Sequence, residues 1–139
     1  MNKVKQLIFL IVILVSANDL YSQSVKFKND KVIVGGEECL IHNSSDANNI
    51  EFTTKDGQQT IFLKFIRTGI GQNRGLYTKV IFVEQNKSLT SRSFIFSRKL
   101  LINKLLSEKV IVDCEIKDEN IDKFIMKYDE KIEEALIRL

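Results

Sequence analysis

The sequence predicts an α+β domain: an antiparallel sheet of about five to seven strands over residues 25–96, then two helices, about 98–109 and 119–138, packed on one face. Two observations predict it. Apolar residues alternate with a period of two up to Phe96, and the period becomes 3.6 after Ser97. The 139-residue chain also contains no proline, and no repeat or low-complexity linker marks an internal boundary. One domain over 23–139 follows.

Val25-Lys26-Phe27 and Val32-Ile33-Val34 flank Asn29-Asp30, residues that tolerate left-handed turn geometry. Pairing across that turn puts Val25, Phe27, Val32 and Val34 on one face. Gly35-Gly36 breaks the run, Cys39 to His42 forms a further strand, and 43–49 reads as a polar loop. Asp56-Gly57 predicts a two-residue hairpin turn. With Lys55 opposite Gln58, Phe52 opposes Ile61 and Ile50 opposes Leu63, and a one-residue slip would destroy that segregation. Residues 68–75 form a loop. Leu76 to Glu84 is rich in β-branched and aromatic residues, as strands prefer, and 85–87 turn the chain into a run that ends at Phe96.

Ser97 is a good N-cap, and Leu101, Ile102, Leu105 and Leu106 give the next twelve or so residues one apolar helical face. Residues 110–116 are a connector or short strand containing Cys114. The last helix carries Ile121, Phe124, Ile125, Tyr128, Ile132, Ala135, Leu136 and Leu139 at helical spacing to the end of the chain. Such a stripe must be buried against the sheet, the first helix or a partner, since a helix this short is marginal alone in water. Homo-oligomerisation through it is one outcome.

Residues 1–22 have the form of a secretory signal peptide. Lys3 and Lys5 precede an apolar run from Leu7 to Ala17, closed by small residues. A membrane span needs about 20 apolar residues, and Asn18-Asp19 stop this run. Cleavage after Ala17 or after Ser22 is compatible, the latter leaving Gln23 first. A periplasmic, cell-surface or secreted location is expected. An oxidising compartment permits a Cys39–Cys114 disulfide; two buried free thiols are the alternative.

Removing 1–22 leaves 19 basic and 17 acidic residues. The charge is uneven: 24–109 carry 14 basic and 8 acidic residues, 110–139 carry 5 and 9. Either the acidic C-terminal segment docks on the basic body, or the basic face takes an unknown protein or anionic envelope component. Export and modest charge argue against nucleic acid.

His42 is the one histidine. Cys39 and His42 have a zinc-compatible spacing, but residues three apart on a regular strand face opposite ways. The same geometry argues against a Cys39–His42 nucleophilic pair. The glycine-bearing loop at 69–75 precedes a strand rather than a helix, which is wrong for phosphate binding. It remains a binding-loop candidate through Gln72, Asn73 and Arg74. Glu37-Glu38 and Asp129-Glu130 are adjacent carboxylates of the solvated kind. No cofactor is called for. The expectation is an exported, non-enzymatic binding or interaction protein. The alternative is a small secreted hydrolase using dispersed carboxylates and His42.

Overall fold

The computed structural model describes residues 2–4, 23–69 and 75–138. Residues 5–22, most of the stretch expected to be a signal peptide, lie outside them. Seven strands form one antiparallel meander in sequence order. They are β1 (Val25–Lys28), β2 (Lys31–Val34), β3 (Glu37–Asp46), β4 (Asn49–Thr54), β5 (Thr60–Thr68), β6 (Gly75–Phe82) and β7 (Lys87–Ser91). Helix α1 (Arg98–Ser107), a small hairpin of β8 (Ile111–Val112) and β9 (Glu115–Ile116), and helices α2 (Asp118–Tyr128) and α3 (Ile132–Ile137) follow. The α+β class, the strand count and the order of strands before helices are as the sequence predicts.

The alternating pattern decides which sheet face is inward. Val25 pairs with Val34 and Phe27 with Val32; Phe52 pairs with Ile61 and Ile50 with Leu63. These side chains, with Leu40, Val80, Phe82 and Leu89, meet Leu101, Ile102 and Leu105 of α1 and Ile121 and Phe124 of α2 in one core. Each fully buried side chain of this size contributes roughly 1.5–3 kcal/mol. Ser97 caps α1 as expected, its Oγ accepting from the Leu100 N–H at 3.1 Å.

Three local differences have physical causes. The Asp56-Gly57 turn keeps the predicted register but is wider than two residues. The Thr54 hydroxyl donates to Asp56 Oδ1 at 2.6 Å and accepts from the Gln59 N–H, while Asp56 Oδ1 accepts from the Gln58 N–H. These side-chain bonds satisfy backbone donors, and only Gly57, at φ +73°, is left-handed there. The polar stretch expected as a loop at 43–49 is mostly strand: Asn43 pairs with Glu51 and Ser44 with Ile50. The turn shrinks to Asp46–Asn49, where Asp46 accepts from the Asn48 N–H and the Asn49 amide.

The third difference is at the C-terminus. The single helix expected over 119–138 breaks at 129–131 into α2 and α3, with Lys131 left-handed at φ +51°. The break serves the sheet. β7 is an edge strand, and an edge presents unpaired N–H and C=O groups. The Thr90 N–H donates to Asp129 Oδ1 at 3.0 Å, the Thr90 carbonyl accepts from the Glu130 N–H, and the Thr90 hydroxyl accepts from the Ile132 N–H. A continuous helix could not offer these groups to the edge. The chain then passes to the far side of the sheet, where Glu133 of α3 accepts from the Tyr77 hydroxyl and pairs with Lys79 at 2.7 Å.

Candidate functional site

Cys39 and Cys114 come together with Cα atoms 4.9 Å apart, within the span of a disulfide. The approach depends on a β-bulge. Val32 pairs with Leu40 but Ile33 pairs with Glu38, so Cys39 is an extra residue on β3. A bulge re-aims the side chain it carries. Cys39 and Leu40, adjacent in sequence, are both buried, at 1% and 2% exposure. The regular-strand objection to Cys39 and His42 sharing a side therefore fails here, since His42 is buried too. The two still do not form a pair, because Cys39 is committed to Cys114.

His42 lies among aromatic rings. Its centroid is 5.4 Å from that of Phe27, edge-on, and 6.4 Å from that of Phe52. Neither ring nitrogen has a hydrogen-bond partner among the described residues. Nothing in this arrangement orients the imidazole or receives its proton. A buried polar group without a partner costs free energy, so His42→Leu is expected to raise stability by about 1 kcal/mol. A urea-denaturation midpoint checks this; a loss of similar size would reveal a polar partner for His42.

The carboxylate pairs have structural work. Glu38 pairs with Lys31 at 3.0 Å. Glu130 is the centre of a clasp: its carboxylate accepts from the Ser91 hydroxyl, the Arg92 and Ser93 N–H groups and the Ser93 hydroxyl, at 2.7–3.1 Å. The Ser91 hydroxyl, and then the other donors, hold its carboxyl below the usual glutamate value of 4.5. Lys127 does the same to Glu108. A group whose folded pKa is depressed stabilises at neutral pH, and that contribution disappears as pH falls through the folded value. Stability is therefore expected to decline on acidification below about pH 4.5. Glu130→Gln should cost about 1–3 kcal/mol at pH 7 and flatten the acid decline, as read by urea midpoints at pH 7, 4.5 and 3.5. An unchanged profile would remove Glu130 as a contributor.

The acidic C-terminal segment docks on the basic body. Besides Lys79–Glu133, Lys87 pairs with Asp122 at 2.6 Å, and the Gln85 amide donates to Asp118. These contacts neutralise lysines on β6 and at β7. They do not reach the lysines on the other strands.

Those remaining lysines share the outward face of the sheet. The registers place Lys28, Lys31, Ile41, Thr53 and Thr60 in one row across it, and Asn43, Glu51, Phe62 and Ile81 in the next. Lys26 and Ile33 lie to one side, and Lys64 to the other, its ammonium 5.9 Å from the Phe62 ring centre. From β1 to β5 every described residue of this face is half-buried or exposed, and Ile41 is 41% exposed. At β6 and β7 the same face carries Tyr77 and Thr90, both buried where α3 and its approach cross. The result is an open floor on which lysines border aliphatic, aromatic and threonine side chains, with Asn43 and Glu51 among them, walled at one end by α3.

Gln72, Asn73 and Arg74 lie outside the described residues. Their flanks, Thr68 and Gly75, pair at the end of a β5–β6 hairpin that runs past the last β7 partner, Ser91. The C-terminal helix expected as a self-association surface is reduced to α3, where Leu136 and Ile137 are exposed. Among the described residues no helix is long and apolar enough to cross a membrane. No known family model matches the chain, and neither curated proteins nor solved structures give a match.

Proposed function

We propose that this is an exported, non-enzymatic binding protein whose outward sheet face takes an acidic segment of a partner protein in the cell envelope or secreted space. The observation that carries the reading is the open, lysine-bordered floor from β1 to β5. Its chemistry has a precedent within the chain. On the adjacent part of the same face, the carboxylate of Glu133 is held by a lysine and a tyrosine, Lys79 and Tyr77. Lys26, Lys28 and Lys64 offer the same kind of recognition to a partner's carboxylates. Ile33, Ile41 and Phe62 offer it apolar contact. Export is supported by the form of residues 1–22 and by a cysteine pair at bridging distance. The hydrolase alternative needs His42 beside an acid and a nucleophile, and the two phenylalanine rings around it supply neither.

The test uses fluorescently labelled poly-L-glutamate as an acidic polypeptide, read by anisotropy. Binding is expected to weaken with salt. It should weaken about tenfold or more in a Lys28→Glu/Lys64→Glu variant, through like-charge repulsion. Lys99→Glu/Lys123→Glu, on exposed helix positions, should leave it unchanged. Equal weakening by both variants, or binding only to phosphatidylglycerol vesicles, would overturn the reading.

A further inference from the structure

We propose that Cys114 is a thiol–disulfide exchange site, the sulfur through which an external disulfide or dithiol makes and breaks the Cys39–Cys114 bond. The two cysteines differ sharply in access. Cys39 is 1% exposed and sits in the bulge beneath the sheet surface. Cys114 is half-buried and lines a surface cavity of about 390 Å³. Thr54, Asp56 and Gln59 from the β4–β5 turn form the facing wall of that cavity.

Backbone conformation singles out the same residue. Asp113 and Cys114 are the two loop residues between the paired Val112 and Glu115, and both have positive φ, +51° and +64°. A two-residue hairpin with both residues left-handed ordinarily places glycine second. A side chain there is strained, and Cys114 carries one. The two-residue span between β8 and β9 sets this conformation, so Cys114 is presented at the tip of the turn with or without the bond to Cys39. The hairpin stays anchored when the bond opens, because Val110, Ile111 and Ile116 are buried in the core and the Lys117 N–H donates to the Val110 carbonyl.

The chemistry balances with an oxidant of the disulfide class, such as oxidised glutathione or a disulfide-bearing oxidoreductase. The Cys114 thiolate attacks one sulfur of the external disulfide, forming a mixed disulfide and releasing one thiolate. The Cys39 thiolate then attacks Cys114 Sγ, forming the internal bond and releasing the second external thiolate. The two protons lost by the cysteines end on the two released thiols. Reduction by an external dithiol runs the same steps backwards.

The test is pulsed alkylation of the wild-type protein after reduction with dithiothreitol under native conditions, its fold checked by circular dichroism. N-ethylmaleimide labelling, located by peptide mass, is expected to modify Cys114 at least tenfold faster than Cys39. A brief pulse of oxidised glutathione should place the mixed disulfide on Cys114. In urea the two cysteines should react at rates within twofold. Comparable rates in the native buffer, faster labelling of Cys39, or loss of the fold on reduction would each overturn the proposal.

Discussion

Replacing Phe124 by alanine is expected to lower stability by about 3–5 kcal/mol, the usual cost of emptying a fully buried aromatic site. Phe124 is 0% exposed, and its ring meets Phe82 of the sheet edge-on at 6.2 Å, Phe96 at 6.5 Å and Tyr128 at 4.9 Å. It is where α2 reaches the sheet, so its loss removes contacts with β6, with the connector before α1 and within α2 itself. Met126, two residues away on the same helix and 85% exposed, is the internal control, and Met126→Ala should stay within about 0.5 kcal/mol. Urea denaturation of both variants gives the comparison. A cost below about 1 kcal/mol for Phe124→Ala would mean that α2 does not seal the core.

Loss of the Cys39–Cys114 bridge is the second large effect. The cysteines are 75 residues apart in sequence, and closing a loop of that length stabilises by about 4 kcal/mol in the chain-entropy model. A single domain has a stability of roughly 5–15 kcal/mol, so the reduced protein is expected to remain folded with a lower denaturation midpoint. The left-handed turn refines this. In a Cys39→Ala background, Cys114→Gly should be more stable than Cys114→Ser by about 1 kcal/mol, because glycine alone adopts positive φ without strain. Equal midpoints for the two would deny that strain. No change on reduction of the wild type would deny the bridge.

What was legible in the sequence is what periodicity controls. The β4–β5 register follows from Ile50, Phe52, Ile61 and Leu63, because a slip by one would turn all four outward. The start of α1 follows from Ser97. What escaped depends on hydrogen-bond demand at places that a linear pattern does not display. The apolar stripe of the last helix continues through Ile132 and Leu136, so periodicity alone gives no reason to stop at Tyr128. The reason is at Thr90, on an edge strand forty residues earlier in the chain. The bulge that turns Cys39 inward is equally silent, since it arises from how β2 meets β3. For the same reason His42 could not be assigned to a side. The outward lysines were visible as a basic excess, but their grouping required strand order. Likewise, the neutralisation of Lys79 and Lys87 required knowing where Glu133 and Asp122 land. One signal for the small hairpin is in the sequence: Val-Asp-Cys-Glu places the turn-former Asp113 before Cys114, which stands at the position where glycine would mark a hairpin.

Charge is put to two uses in this chain that composition merges. Carboxylates of the C-terminal segment fasten it to β6 and β7, and Glu130 clasps the chain beyond β7. The lysines of β1, β2 and β5 face outward with Glu38 as the one acidic partner they bond among the described residues. The first set fastens the C-terminal segment, and the second is the set on which the proposed recognition rests.

The most direct test is a backbone amide chemical-shift map of the 15N-labelled protein titrated with poly-L-glutamate. The expected result is a set of salt-sensitive shifts confined to the strands of the open face, centred on Lys28, Lys31, Ile41, Phe62 and Lys64, with α1 and α2 unmoved. Shifts centred on α1 or α2, or no shifts at any ratio of polymer to protein, would contradict the assignment of the open sheet face as the binding surface.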